Sequence, residues 1–235
     1  MRSFATLSWV FAVFSIGGCT EVTDPGGVPV EMTITSWPGA AVPLEDVKLC
    51  ETGTANCMET DAAGKATLRL PVGETSFTKD KEGFGPYLVP LVVPEEGLAH
   101  DSAMGTDEFL KILYDDVMSP YPMEDQGRIS IGLVFAGATM DLFDADGPIE
   151  AKRYYVEPGP PPTWRLYDDL TATVGDGGGG FLEVSPGEYV VQFGGTAINC
   201  IPVPTGWPVL FPNSMRVPVR AGYITQATAT CEQAP

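Results

Sequence analysis

The stretch Gly64-Lys65-Ala66-Thr67-Leu68-Arg69-Leu70-Pro71-Val72-Gly73-Glu74 sets Ala66, Leu68 and Leu70 in alternation with Thr67 and Arg69, between two turn formers. Period-two alternation of this kind is the signature of a strand with one face buried. The pattern returns as Gly178-Gly179-Gly180-Phe181-Leu182-Glu183-Val184-Ser185-Pro186-Gly187-Glu188. A single offset of 114 residues superposes Gly64 on Gly178, Leu68 on Leu182, Leu70 on Val184, Gly73 on Gly187 and Glu74 on Glu188. One offset serving so many positions predicts a duplicated unit.

Short runs rich in β-branched and aromatic residues surround each copy. Near the first they are Val28 to Trp37, Val47 to Cys50, Thr75 to Lys79 and Tyr87 to Val93. Near the second they are Arg128 to Phe135, Thr139 to Phe143, Arg165 to Val174, Tyr189 to Phe193, Met215 to Val219 and Tyr223 to Thr230. The chain's 27 Gly and 22 Pro, far above average usage, disfavour long helices and supply turns between such strands. An all-β fold of two β-sandwiches follows. One segment departs from the pattern: Thr106 can cap a helix whose first turn holds Asp107 and Glu108, and Phe109, Leu110, Leu113 and Val117 form one apolar stripe. Pro120 and Pro122 end it. A helix with such a stripe is expected to pack on one or both sandwiches.

At 235 residues, 44% of them hydrophobic, the chain can bury a substantial core. Thirteen Lys and Arg face 31 Asp and Glu, for a formal charge of −18, which repels the phosphates of DNA and RNA; no nucleic-acid partner is expected.

Ile16-Gly17-Gly18-Cys19, at the end of an apolar run from Ser3, resembles the lipobox of bacterial lipoproteins. The run is shorter than a membrane span requires, as in a signal peptide. The resemblance implies that Cys19 is acylated and that the peptide before it is removed, making a lipid bilayer the first partner. Several acyl chains, at about 0.8 kcal/mol per buried methylene, make such an anchor essentially permanent. Thr20 rather than Asp after Cys19 suggests the outer membrane, by analogy with enteric sorting. Removing Cys19 from five cysteines leaves an even number, as expected of a chain in an oxidising compartment. Three pairings of the four are open. Proximity in sequence favours Cys50 with Cys57 and Cys200 with Cys231, worth about 2.5 and 3.7 kcal/mol by loop entropy. CxxC spacing of the kind used for zinc is absent.

Thr60-Asp61-Ala62-Ala63-Gly64, the alternating strand, the Leu70-Pro71-Val72-Gly73 turn and Lys81-Glu82-Gly83-Phe84 resemble the carboxypeptidase regulatory-like domain. The second copy is similar through Gly177 to Gly180, Phe181 to Val184 and Ser185 to Tyr189, with Thr173-Val174-Gly175-Asp176 in place of the Thr-Asp turn. The resemblance implies Greek-key, transthyretin-like sandwiches of seven strands, which serve as accessory modules. The expected organisation is therefore a signal peptide over 1–18, a tether over 19–27, sandwiches over 28–99 and 127–235, and a helical linker over 100–126.

Little in the sequence points to catalysis. A single His, His100, cannot supply the two metal-binding histidines of the zinc peptidases that gave the family its name. Transthyretin-like hydrolases need a His pair and a C-terminal Tyr-Arg-Gly-Ser, whereas this chain reads Cys231-Glu232-Gln233-Ala234-Pro235. A non-enzymatic module without catalytic residues, cofactor or metal is expected. His100, beside Asp101 in a polar stretch, reads as solvated. Gly177 to Gly180 read as a hairpin turn, and Asp141, Asp144 and Asp146 as an acidic turn. The segment with most recognition character runs from Tyr154-Tyr155 through Pro158-Gly159-Pro160-Pro161-Pro162 to Trp164 and Tyr167. Its aromatic faces could stack on sugar rings or an extended peptide, so Tyr154, Tyr155, Trp164 and Tyr167 are the candidate ligand residues, and a glycan or a protein is the candidate partner.

Overall fold

In the computed structural model the described residues are 26–133, 135–157, 159, 164–175, 177–202 and 211–234. The first half contains β1 (Val28–Trp37), β2 (Lys48–Glu51), β3 (Cys57–Glu59), β4 (Lys65–Leu70), β5 (Gly73–Asp80), β6 (Tyr87–Val93) and β7 (Leu98–Gly105). They form two layers, β4-β1-β7 and β3-β2-β5-β6, with β1 and β7 parallel and the other neighbours antiparallel. Val30, Met32 and Ile34 of β1 meet Leu49, Phe77, Val89 and Leu91 between the layers.

Helix α1 (Asp107–Asp116) follows, and the Thr106 hydroxyl accepts its capping bond from the Phe109 amide at 3.2 Å. The second half contains β8 (Gly127–Gly132), β9 (Ala138–Asp144), β10 (Gly147–Pro148), β11 (Lys152–Glu157), β12 (Arg165–Tyr167), β13 (Gly179–Val184), β14 (Gly187–Gly195), β15 (Ala197–Pro202), β16 (Ser214–Val219) and β17 (Ile224–Gln233). Its layers repeat the first half's: β13-β8-β17, again with one parallel pair, and β10-β9-β14-β16. Three strands are additions, β11 and β12 outside β13 and β15 beside β17.

Two details carry the repeat down to single atoms. Gly64 and Gly178 have φ of +72° and +70°, and a Cβ on either would lie 2.4 or 2.2 Å from the carbonyl oxygen of Ile34 or Ile131. A left-handed turn pressed against a neighbouring strand requires glycine. Thr60 and Thr173 are both buried, at 3% exposure. The Thr60 hydroxyl accepts from the Val47 amide and donates to the Leu44 carbonyl; that of Thr173 accepts from Ala138 and donates to Phe135. The Thr-x-x-x-Gly spacing of the first copy is thus the sequence trace of a strand-pinning turn used twice.

The halves are fused. β17 pairs in parallel with the start of β6, Ile224 with Tyr87 and Thr225 with Leu88, so a single sheet runs β12-β11-β13-β8-β17-β6-β5-β2-β3. Across this seam the Tyr223 hydroxyl meets Asp80 at 3.0 Å and Lys79 Nζ meets Gln226 at 3.3 Å. The first core extends through Phe109, Leu110, Leu113 and Tyr114 of α1 to Tyr154, Val156, Leu182 and Ile224.

Several expectations need correction. β7 lies partly within the segment expected to be helical linker, because its parallel pairing with β1 completes the first sheet. Tyr154 and Tyr155, expected in a recognition segment, belong to a strand, since β11 extends the sheet beyond β13. The expected strand from Arg165 to Val174 stops at Tyr167.

Candidate functional site

Cys19 and its lipobox lie outside the described residues, as do Pro158 and 160–163. The disulfides join Cys50 to Cys57 and Cys200 to Cys231. The first closes the β2–β3 hairpin, and the second fastens β15 to β17. In the acidic turn, the Asp144 carboxylate accepts from the Asp146 and Gly147 amides, and Asp141 pairs with Arg153. The Asp144 bonds build the β9–β10 hairpin, and the ion pair ties β9 to β11.

The four candidate ligand residues are not one surface. Tyr154 and Tyr155 are adjacent on β11 and point to opposite faces, into the first and second cores, each 0% exposed. Neither can stack on a sugar. The Tyr155 hydroxyl accepts from the Met140 amide at 3.3 Å, and Tyr167, on the surface, donates to Glu157 at 2.9 Å. Trp164 is half-buried and stands edge-to-face with Trp37, ring centroids 5.4 Å apart.

These two indoles border a cavity of about 300 Å³ where the halves meet. Leu110 and Leu113 of α1, Val156 and Leu166 of the added strands, and Ile224, Gln226 and Thr228 of β17 form much of its wall. Arg128 of β8 completes it, only 5% exposed. The Arg128 Nε donates to the Tyr154 hydroxyl at 2.9 Å, and the guanidinium lies 4.5 Å from the Tyr154 ring and 4.9 Å from that of Tyr114. Burial pushes the pKa of the Tyr114 hydroxyl up to about 12. Among the described residues the ion pairs are Lys152 with Glu183, Arg153 with Asp141, Arg165 with Asp116 and Arg216 with Glu74. None of these carboxylates reaches Arg128.

A second buried cation lies nearby. Lys79, 0% exposed, donates to Ser102 Oγ at 2.5 Å, the Ala103 carbonyl at 3.0 Å and Gln226 Oε1 at 3.3 Å, and sits 4.6 Å from the Tyr87 ring centre. Burial brings its pKa down to about 7. His100, read from the sequence as solvated, is 7% exposed with its Nε2 unpartnered, because the alternation of β7 turns it inward and Asp101 outward. Burial, and then the Lys79 charge, hold the imidazole down at about 4, against the opposing pull of Asp101.

A histidine whose folded pKa lies below its unfolded value of about 6.5 favours unfolding as acid is added. Stability is therefore expected to fall as the pH drops from about 6.5 toward about 4, and to level off below, by as much as about 3 kcal/mol from this group. Urea unfolding of wild type and His100→Gln at pH 7, 5 and 4 checks it: the difference between the two should change across that window. A constant difference would show that His100 does not titrate this way.

The cavity escaped sequence reading because its wall comes from segments scattered between Trp37 and Thr228. A partial signal existed. In Arg128-Ile129-Ser130-Ile131 the alternation puts Arg128 and Ser130 together on the strand face opposite the second core, and the aromatic segment was there to cover it.

No protein-family sequence model matches the chain, and no curated protein matches it. Among solved structures it is similar to the TIE protein of Bacillus anthracis at 12% identity and a TM-score of 0.27, covering 88% of this chain and spanning only 35% of that one. It is also similar to the minor pilin of Streptococcus agalactiae, at 12% identity and a TM-score of 0.25, with 89% and 97% of the two chains covered. A Bacteroides uniformis protein described as carbohydrate-binding is similar at 11% identity and a TM-score of 0.24, with 83% and 98% covered. At TM-scores this low the likenesses decide nothing about function, and the β-sandwich architecture rests on the strand pairings themselves.

Proposed function

We propose that the chain is a non-enzymatic structural or interaction module of the cell envelope, held at a bilayer by acylated Cys19. The observation that carries this reading is the fusion of two like sandwiches through a shared core and one continuous sheet. Such a body is a stiff platform, and its buried ionisable groups are engaged in packing: Lys79 braces the seam, His100 abuts Phe77 and Arg128 is held between tyrosines. Two disulfides suit an oxidising compartment. Among the described residues no helix is long and apolar enough to cross a membrane. From Cys19 to the start of β1 at Val28, nine residues at up to about 3.5 Å each keep the platform within about 30 Å of the lipid. Thr20 favours the outer membrane.

Growth with an alkyne fatty acid tests the anchor. The wild-type chain is expected to carry the label and sediment with membranes, and Cys19→Ala is expected to lose the label and move to the soluble fraction. An unlabelled wild-type chain, or a Cys19→Ala chain that still sediments, would overturn the anchored reading.

A further inference from the structure

We propose that the cavity between the sandwiches binds a small organic monoanion with an apolar body, its carboxylate paired with Arg128 and its body resting against Trp37 and Trp164. Charge accounting leads here. A buried cation costs several kcal/mol of lost hydration. Stacking on two rings returns about 2 kcal/mol each at best, and one hydrogen bond to a charged donor about 1.5–3. That bond uses Nε, and among the described residues no carboxylate pairs with the two terminal nitrogens. Those nitrogens form the planar fork that suits a carboxylate, and they belong to a residue lining the cavity.

The rest of the wall selects the body. Leu110, Leu113 and Ile224 are apolar, and Trp37 and Trp164 are half-buried at the cavity's edge. About 300 Å³ is at the small end for ligand sites. That volume suits a single-ring or short-chain acid.

The site can be altered at two positions. Arg128→Met keeps the bulk and removes the charge, a change that buried ion sites tolerate or even gain from. Further along the same face of β8, a Cβ at Gly132 would meet only the Thr228 side chain, at 3.7 Å, so Gly132→Leu narrows that end of the cavity without straining the backbone. Isothermal titration of the full-length chain with 4-phenylbutyrate, its neutral amide, the corresponding amine and inorganic phosphate tests the proposal. The acid is expected to bind at least tenfold more tightly than the amide, and the amine not at all. Arg128→Met should abolish the preference for the acid, Arg128→Lys should weaken it, and Gly132→Leu should lower binding at least tenfold, each with cooperative melting retained. Equal binding of acid and amide, an unchanged preference in Arg128→Met, or no saturable binding of any aromatic probe would overturn the site. Phosphate binding as tightly as phenylbutyrate would overturn its apolar half. None of these outcomes depends on Cys19, so the anchor and the cavity stand or fall separately.

Discussion

Tyr154→Ala is expected to lower the unfolding free energy by about 5 kcal/mol. Removing a buried aromatic ring costs about 3–5 kcal/mol through lost burial and the void left behind, and Tyr154 is 0% exposed. Here the ring is also one of two stacked on Arg128, and its hydroxyl takes the Nε bond while donating to the Ile129 carbonyl at 3.2 Å. Truncation therefore leaves a buried cation with one ring and without its Nε acceptor, which adds to the loss. Tyr154→Phe keeps the ring and removes only the oxygen, so a loss of about 1–3 kcal/mol is expected. Tyr167, partly exposed on the edge strand β12, provides the contrast: Tyr167→Ala should cost only about 1 kcal/mol. Urea denaturation of the three variants decides it, and a Tyr154→Ala midpoint no lower than that of Tyr167→Ala would refute the burial argument. With domains typically stable by about 5–15 kcal/mol, Tyr154→Ala should be close to unfolding at body temperature.

The turn glycines should fail together. Alanine at Gly64 or Gly178 must hold a left-handed backbone, costing roughly 1–2 kcal/mol. It must also push aside a strand carbonyl 2.4 or 2.2 Å from the new carbon, an overpacking cost of about 1–3 kcal/mol. We expect about 3 kcal/mol for each, with similar values at the two positions. Gly53 separates the contributions: its φ is +79° with nothing within 4 Å, so Gly53→Ala should show the backbone cost alone, about 1 kcal/mol. The double variant Gly64→Ala/Gly178→Ala joins distant sites and should lose about the sum. Thermal and urea unfolding of the four proteins would expose the argument as wrong if Gly53→Ala costs as much as Gly64→Ala.

Those glycines were legible because a turn and the alternating strand beside it are local chemistry. The apolar run of β6 was legible as a strand for the same reason, and Thr106 marked the helix start. What was lost lies where one element is covered on both sides. β13 sends Phe181 to one core and Leu182 to the other, and β11 does the same with Tyr154 and Tyr155. Alternation then stops reporting inside against outside. β11, followed by prolines, carries recognition character in sequence, and its tyrosines read as ligand residues. The short segment around His100 had no pattern strong enough to reveal a strand whose partner, β1, lies some seventy residues earlier. The cavity is an extreme case, since no stretch of sequence contains more than a fragment of its wall.

The seam between β6 and β17 also imposes an order of events during biosynthesis. β6 is buried at every position but Val92, yet the strand that pairs with its leading end comes last in chain order. While the polypeptide emerges, the first half presents a greasy, unpaired edge until more than a hundred further residues have followed, and such edges invite intermolecular pairing. A nascent chain interrupted before β17 would be a candidate for aggregation, so the early half depends on the late one for its solubility as well as its shape.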